Sequence, residues 1–101
     1  TGYKVSIDGK MACEEVMVDL SGDWPDYVFQ KEYQLLSLEE VQQHIDEKGH
    51  LPGVPSAKEV AETGVVLGKM NKVLMEKVEE LTLYILQQEE RIKALEAALE
   101  K

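Results

Sequence analysis

A stripe of mostly apolar residues runs along the C-terminal part of this sequence at spacings that alternate four and three. Its members are Leu67, Asn71, Leu74, Val78, Leu81, Ile85, Gln88, Ile92, Leu95 and Leu99. A period of 3.5 residues keeps such a stripe against a partner helix along a supercoil, whereas a helix on a globular core follows a period of 3.6. A helix over residues 66–101 would be roughly 50 Å long, more than a chain of this size can cover alone. The pattern therefore predicts a coiled coil formed with other subunits.

The heptad register gives two indications of the number of subunits. With Val78 at position a and Leu81 at d, Arg91 falls at g and Glu96 at e, close enough across subunits to pair. The segment from Arg91 to Glu96 resembles the Arg-apolar-x-x-apolar-Glu motif of short parallel trimeric coiled coils. β-Branched residues at a with Leu at d instead favour dimers, and Asn71 at a can fix the register of a dimer. The register thus leaves both a parallel homotrimer and a homodimer open.

Several outward-facing positions in the first half of the predicted helix are also apolar, although a free coil would expose them to water. They are Val73, Met75, Leu83, Tyr84 and Leu86. Beyond Leu86 the outward positions are mainly Gln, Glu and Lys, which suit solvent, and Glu pairs such as Glu79-Glu80 are interpreted as solvated helix faces. We expect residues 24–63 to fold back onto the N-terminal half of the coil and to leave its last turns bare.

The region before the coil predicts two short strands. Tyr3, Val5 and Ile7 alternate with polar residues up to Asp8-Gly9, a dipeptide that favours a hairpin turn, and residues 16–20 alternate again. Two strands alone are marginal in water. We therefore expect them to continue a β-structured shaft of the same polypeptide or to pair with other subunits.

Two capping boxes predict two short helices after these strands. Ser37 and Ser56 are each followed three residues later by Glu, the spacing in which the hydroxyl and the carboxylate satisfy each other's backbone N–H groups. Helices should run over residues 38–48 and 57–63 and end at Gly49 and Gly64. The predicted fold is mostly α. Residues 1–20 form the β end of a shaft, residues 21–65 a small helical and loop segment, and residues 66–101 a parallel, trimeric coiled-coil helix.

An aromatic cluster follows the predicted strands. Residues 24–29 hold three of the six aromatic side chains of the chain. We predict that Trp24, Tyr27, Phe29 and Tyr33 are packing anchors, with Trp24 buried against coil residues such as Leu83 or Leu86. The alternative is a glycan- or protein-binding module built on Trp24, Tyr27 and Tyr33, because aromatic rings beside carboxylates can bind sugars.

Composition and the remaining polar residues argue against several function classes. The formal net charge of −9 disfavours nucleic acid and anionic membranes, which need basic surfaces. No segment predicts membrane insertion. His44 and His50 have no further ligands at zinc spacing, and the lone Cys13 has no partner for an intrachain disulfide. No serine or cysteine is placed beside a base, so we predict no enzyme activity, no metal and no cofactor.

Five segments together carry a family resemblance. They are residues 24–29, 38–41, 49–57, 67–71 and 79–84, with Tyr33 and Gly64 between them. This set resembles the C-terminal region shared by many secreted or phage tail-fibre-like proteins of Bacteroidetes. That region is similar to the intramolecular chaperone domains that end phage tail spikes and endosialidases, which trimerise the shaft and in some cases cleave themselves off.

This resemblance implies a homotrimer that acts as a C-terminal trimerisation and folding cap, in an extracellular, cell-surface or virion setting. The chain departs from the self-cleaving group, because it has no Ser-Asp followed by the basic and Asn positions of that group's cleavage motif. We therefore expect the cap to be non-enzymatic, with a self-processing remnant as a weaker alternative.

Overall fold

The computed structural model describes residues 2–19, 22 and 24–100, and within these ranges the chain is mostly helical. A short 3₁₀ turn at Tyr27–Phe29 precedes three α-helices: α1 at Leu38–Lys48, α2 at Ala57–Thr63 and α3 at Leu67–Leu99. The molecule measures 66 × 30 × 28 Å. Its long dimension reflects α3, a helix of 33 residues.

Side-chain caps and glycines set the bounds of α1 and α2. The Ser37 hydroxyl accepts the backbone N–H of Glu40 at 3.1 Å, and the Glu40 carboxylate accepts the N–H of Ser37 at 2.9 Å. Ser56 and Glu59 form the same reciprocal pair at the start of α2. At the end of α1, Gly49 adopts a left-handed conformation with φ of 77°, which costs a glycine little. The predicted bounds of both helices are confirmed.

The predicted N-terminal strands are not found. Residues 2–19 contain neither helix nor strand, and their side chains are exposed; Leu20 lies outside the described residues. A strand is stable only when a neighbour accepts and donates its backbone hydrogen bonds. Within the described ranges, this single chain presents no sheet edge on which the segment could pair.

The chain before α3 folds back onto the first half of that helix. The 3₁₀ turn packs on α3, and Pro25 and Val28 are fully buried. From Ile85 to Leu99, by contrast, every residue of α3 is exposed. The fold-back and the bare C-terminal end are arranged as the outward apolar residues predict.

The single chain has very little core. Among the described residues, only Pro25, Val28, Gly68 and Glu79 are buried. The accessible surface is 9169 Å², whereas a compact monomer of this mass would expose about 5,800 Å². Many large hydrophobic side chains are exposed, including Leu67, Leu81, Ile85 and Leu95 of α3.

Candidate oligomerisation interface

The predicted seam forms one continuous exposed face of α3. Its apolar members, from Leu67 to Leu99, are each between 50% and 86% exposed, and the two polar members Asn71 and Gln88 are exposed as well. All of these residues belong to one uninterrupted helix, so their four-three spacing places them on a single stripe. The structure thus brings every seam residue together and leaves the stripe free of cover.

The folded-back chain covers the opposite side of α3. Asp26 lies against Glu79, which occupies heptad position b. The next contacts, along the chain, are made by Tyr27 to Glu76 at f and by Tyr33 to Glu80 at c.

The last contact is on the far flank, where Tyr84 at g donates a hydrogen bond to the carbonyl of Leu36 at 2.6 Å. The chain therefore passes from the b flank across f to the g flank. Positions a and d stay on the uncovered side.

Hydrogen bonds and ion pairs of two tyrosines and three charged residues hold the folded-back segment against α3. Tyr27 donates its hydroxyl hydrogen to Glu76, and Tyr33 donates to Glu80. The two rings lie 5.9 Å apart. Lys77 lies between the acceptors, with its Nζ 2.9 Å from Glu80 and 3.4 Å from Glu76. Charged acceptors make these hydrogen bonds stronger than neutral ones.

The carboxylates keep both phenols protonated. The hydrogen bond to Glu76, with a smaller contribution from burial, raises the pKa of Tyr27 to about 12. Burial, followed by the hydrogen bond to Glu80, raises the pKa of Tyr33. Each phenol is therefore a hydrogen-bond donor across the physiological pH range.

Glu79 is a buried carboxyl that the sequence did not identify. It is only 6% exposed, and its Oε1 atom has no hydrogen-bond donor among the described residues. Burial raises the pKa of Glu79, and the neighbouring Asp26 carboxyl raises it further through a hydrogen bond that requires a proton on one of the two groups. The interpretation of Glu79-Glu80 as a solvated face is wrong. One sequence feature could have indicated that other residues cover Glu79 and Glu80. These two residues lie at heptad positions b and c, between the outward apolar residues Val73 and Leu83.

The structure divides the predicted aromatic anchors into two pairs. Tyr27 and Tyr33 are half-buried against α3, whereas Trp24 is 52% and Phe29 is 53% exposed. The expected burial of Trp24 against Leu83 or Leu86 is therefore wrong for the single chain. The small side chains of Pro25 and Val28 are the buried ones in this segment, and the rings of Trp24 and Phe29 remain about half exposed.

The outward apolar residues of α3 are covered unevenly. Val73, Leu83 and Tyr84 are partly covered, in agreement with the prediction. Leu86, at heptad position b, is 56% exposed, and Met75 at e is 36% exposed. Both of these more exposed residues lie on the e and b flank, where Gly68 and Glu79 are buried.

The bare end of the helix keeps its charged residues available. Arg91 and Glu96 are exposed, and neither forms a salt bridge within the described ranges. Gln88, Arg91, Ile92 and Leu95 line an open groove there. The Lys93–Glu89 pair, at 4.0 Å and largely exposed, contributes little to stability.

The remaining candidate groups are two histidines and one cysteine. His44 and His50 meet edge to face with ring centroids 5.4 Å apart. No cluster that could hold a metal ion occurs among the residues described here, and Cys13 is exposed. In the same part of the chain, no helix combines the length and apolarity needed to cross a membrane.

Comparisons of this chain with protein-family models, with curated proteins and with solved structures find no match.

Proposed function

We propose that this chain is a non-enzymatic trimerisation and folding cap, in which α3 forms a parallel homotrimeric coiled coil. The observation that carries the proposal is the exposed seam of α3, opposite a side that the chain itself covers. Apolar burial contributes about 25 cal/mol for each Å². Association of the seams would supply the burial that the single chain lacks.

The arrangement also suggests how such a cap would act on a fibrous protein. Association through α3 would hold three copies of residues 2–19 close together. Pairing between those segments would then resemble an intramolecular step, which loses far less translational and rotational entropy than pairing of free chains. We infer that the upstream partner is a β-structured shaft of the same polypeptide. A cell-surface or virion fibre is the setting that this role fits.

Light scattering on the size-separated protein tests the proposal. The expected molar mass is about three times 11.4 kDa. A mass of about twice that of one chain would show that the cap is the alternative homodimer. Ile85→Asp should dissociate the assembly, because it places a carboxylate from each chain in one apolar layer, where an unpaired charge costs several kcal/mol. Gln87→Asp, on the outward c position, is the matched control and should leave the mass unchanged. A wild-type monomer at micromolar concentration contradicts the proposal.

A second candidate function is a glycan- or protein-binding module. The half-exposed ring of Trp24 favours it, since an accessible indole can stack on a sugar. The hydroxyls of Tyr27 and Tyr33 are already bound to Glu76 and Glu80, which leaves Trp24 as the main contact. Titration with neutral and acidic oligosaccharides, followed by tryptophan fluorescence, tests this function; the absence of any change at millimolar sugar rejects it for those ligands.

A further inference from the structure

The two flanks of α3 differ in a way that association of the seams alone does not explain. On the g and c flank, α1 and the loop at residues 50–55 enclose an apolar groove with the helix. The side chains that carry the argument are Leu36, Val41, Leu51, Leu81 and Tyr84. On the e and b flank, Leu86 is 56% exposed. One flank is therefore concave and apolar, and the other carries an isolated apolar side chain.

The groove belongs to a wider apolar surface that α1 does not bury. No residue of α1 is buried, and Leu38 and Ile45 are 43% and 37% exposed. Both share a helical stripe with Val41, which lines the groove. Because Leu81 is a seam residue as well as a groove residue, the groove is continuous with the proposed coiled-coil interface.

Coiled-coil geometry determines which part of a second chain faces this groove. In a parallel coil the g position of one helix faces the e position of the following heptad in its neighbour. Position 77 then faces 82, and position 84 faces 89. Lys77 and Tyr84 are groove residues, so the groove faces the stretch between residues 82 and 89 of the neighbouring chain. Leu86 is the exposed apolar residue on the facing flank of that stretch.

We propose that Leu86 of one copy inserts into the groove formed by α1, the loop at residues 50–55 and α3 of the next copy. This inference rests on the proposed function and adds to it a contact that lies outside the coiled-coil seam. Each chain would supply one groove and one leucine, in a head-to-tail arrangement around a closed ring. The fold-back would then contribute directly to the choice of partner as well as covering its own helix.

Cysteine cross-linking between two differently labelled chains tests the contact. In a Cys13→Ser background, one chain carries Leu86→Cys and the other carries Leu51→Cys. The two chains are unfolded together, refolded and oxidised mildly, and the products are separated without reductant. A second pair, Leu86→Cys with Leu36→Cys, guards against an unfavourable disulfide angle at one position. Glu90→Cys, at the outward f position of the same exposed helix, replaces Leu86→Cys in the matched control.

A covalent dimer that forms in the mixed samples, and is several-fold weaker in the Glu90→Cys control, supports the contact. Light scattering on the same variants separates the possible failures. A trimer or dimer without either mixed cross-link overturns the Leu86 contact and leaves the proposed function intact. A monomer overturns both. Efficient linkage of Leu86→Cys to itself also overturns the contact, because it places like flanks together, as an antiparallel coil does.

Discussion

Single side chains, rather than a buried core, connect the folded-back segment to α3. Tyr33 spans 47 positions of the sequence to reach Glu80, and Tyr27 spans 49 positions to reach Glu76. A hydrogen bond to a charged group contributes about 1.5–3 kcal/mol. Because Pro25 and Val28 are the only buried apolar side chains in the described ranges, such polar contacts account for an unusually large share of the attachment.

Removal of either tyrosine hydroxyl should therefore loosen the fold-back. We expect Tyr33→Phe to lower the free energy of unfolding by about 1.5 kcal/mol, because the Glu80 carboxylate loses its phenol donor while the ring remains. Urea denaturation followed by circular dichroism measures the change. Tyr3→Phe alters a phenol that is 83% exposed and should have no effect. Equal stability of the two variants would show that the phenol of Tyr33 does not hold the segment.

The buried carboxyl of Glu79 predicts a pH dependence. Its pKa is raised above the ordinary value of 4.5, so the protonated form is favoured in the folded chain. This stabilising contribution is fully present below the unfolded pKa and is lost as the pH rises through the folded pKa. Near neutral pH the charged form is therefore unfavourable where it lies.

Glu79→Gln should have a higher urea midpoint of unfolding than the wild type at about pH 7.5. The difference between the two midpoints should shrink towards about pH 4. Gln resembles the protonated acid and can donate to the Asp26 carboxylate. Glu90→Gln, on the bare end of α3, is the control for the loss of one negative charge. A Glu79→Gln advantage that does not change with pH would rule out titration of this group as the cause.

At the scale of helices, α1 and α2 depend on their first residues. Each begins with a reciprocal pair of side-chain and backbone hydrogen bonds, and neither contains a buried residue. Helices of 11 and 7 residues are too short to be stable in isolation. Their caps therefore contribute much of what keeps them folded.

Ser56→Ala should reduce the stability of the chain by about 1 kcal/mol, the usual cost of removing such a cap. Amide hydrogen exchange resolves where the change occurs, and we expect faster exchange over α2 than over α1. Ser6→Ala changes a serine in the segment without helix or strand and serves as the control. If exchange over α2 is unaffected, the side-chain cap is not what keeps this helix formed.

These elements also show how far the sequence determines the structure. The caps at Ser37 and Ser56 and the stop at Gly49 are local, and they predicted α1 and α2 correctly. The position of Trp24 and the burial of Glu79 depend on which residues the folded-back chain brings beside α3. That pairing joins segments about fifty residues apart. The outward apolar residues indicate that the first half of α3 is covered, but they do not determine which side chains meet there.

The seam of α3 could be predicted in part from the sequence. Their spacing predicts a stripe that packs against other subunits, and in the single chain α3 carries these residues on one exposed face. The spacing does not determine what covers the other side of the helix. The exposed state of Leu86 follows from the path of the fold-back, which passes from b across f to g and leaves the e flank open.

For the whole molecule, the excess of exposed apolar surface links folding to protein concentration. If association of α3 supplies the missing burial, the native state is an oligomer and its stability follows mass action. We expect the melting temperature to rise steadily over a roughly hundredfold range of concentration. Scanning calorimetry and circular dichroism together cover this range. A melting temperature that is constant across it would show that the single chain folds on its own.

The uneven cover of α3 has a consequence for the order of events along the helix. Up to Tyr84, the helix is braced by its own chain, whereas from Ile85 onward its backbone hydrogen bonds have only solvent and other copies around them. The first half can hold its helical turns before any encounter, and the second half gains its protection from exchange on association. Amide exchange beyond Ile85 would then slow more than exchange near Glu80 as the protein is concentrated. The C-terminal half of the helix would therefore respond to association more strongly than the N-terminal half.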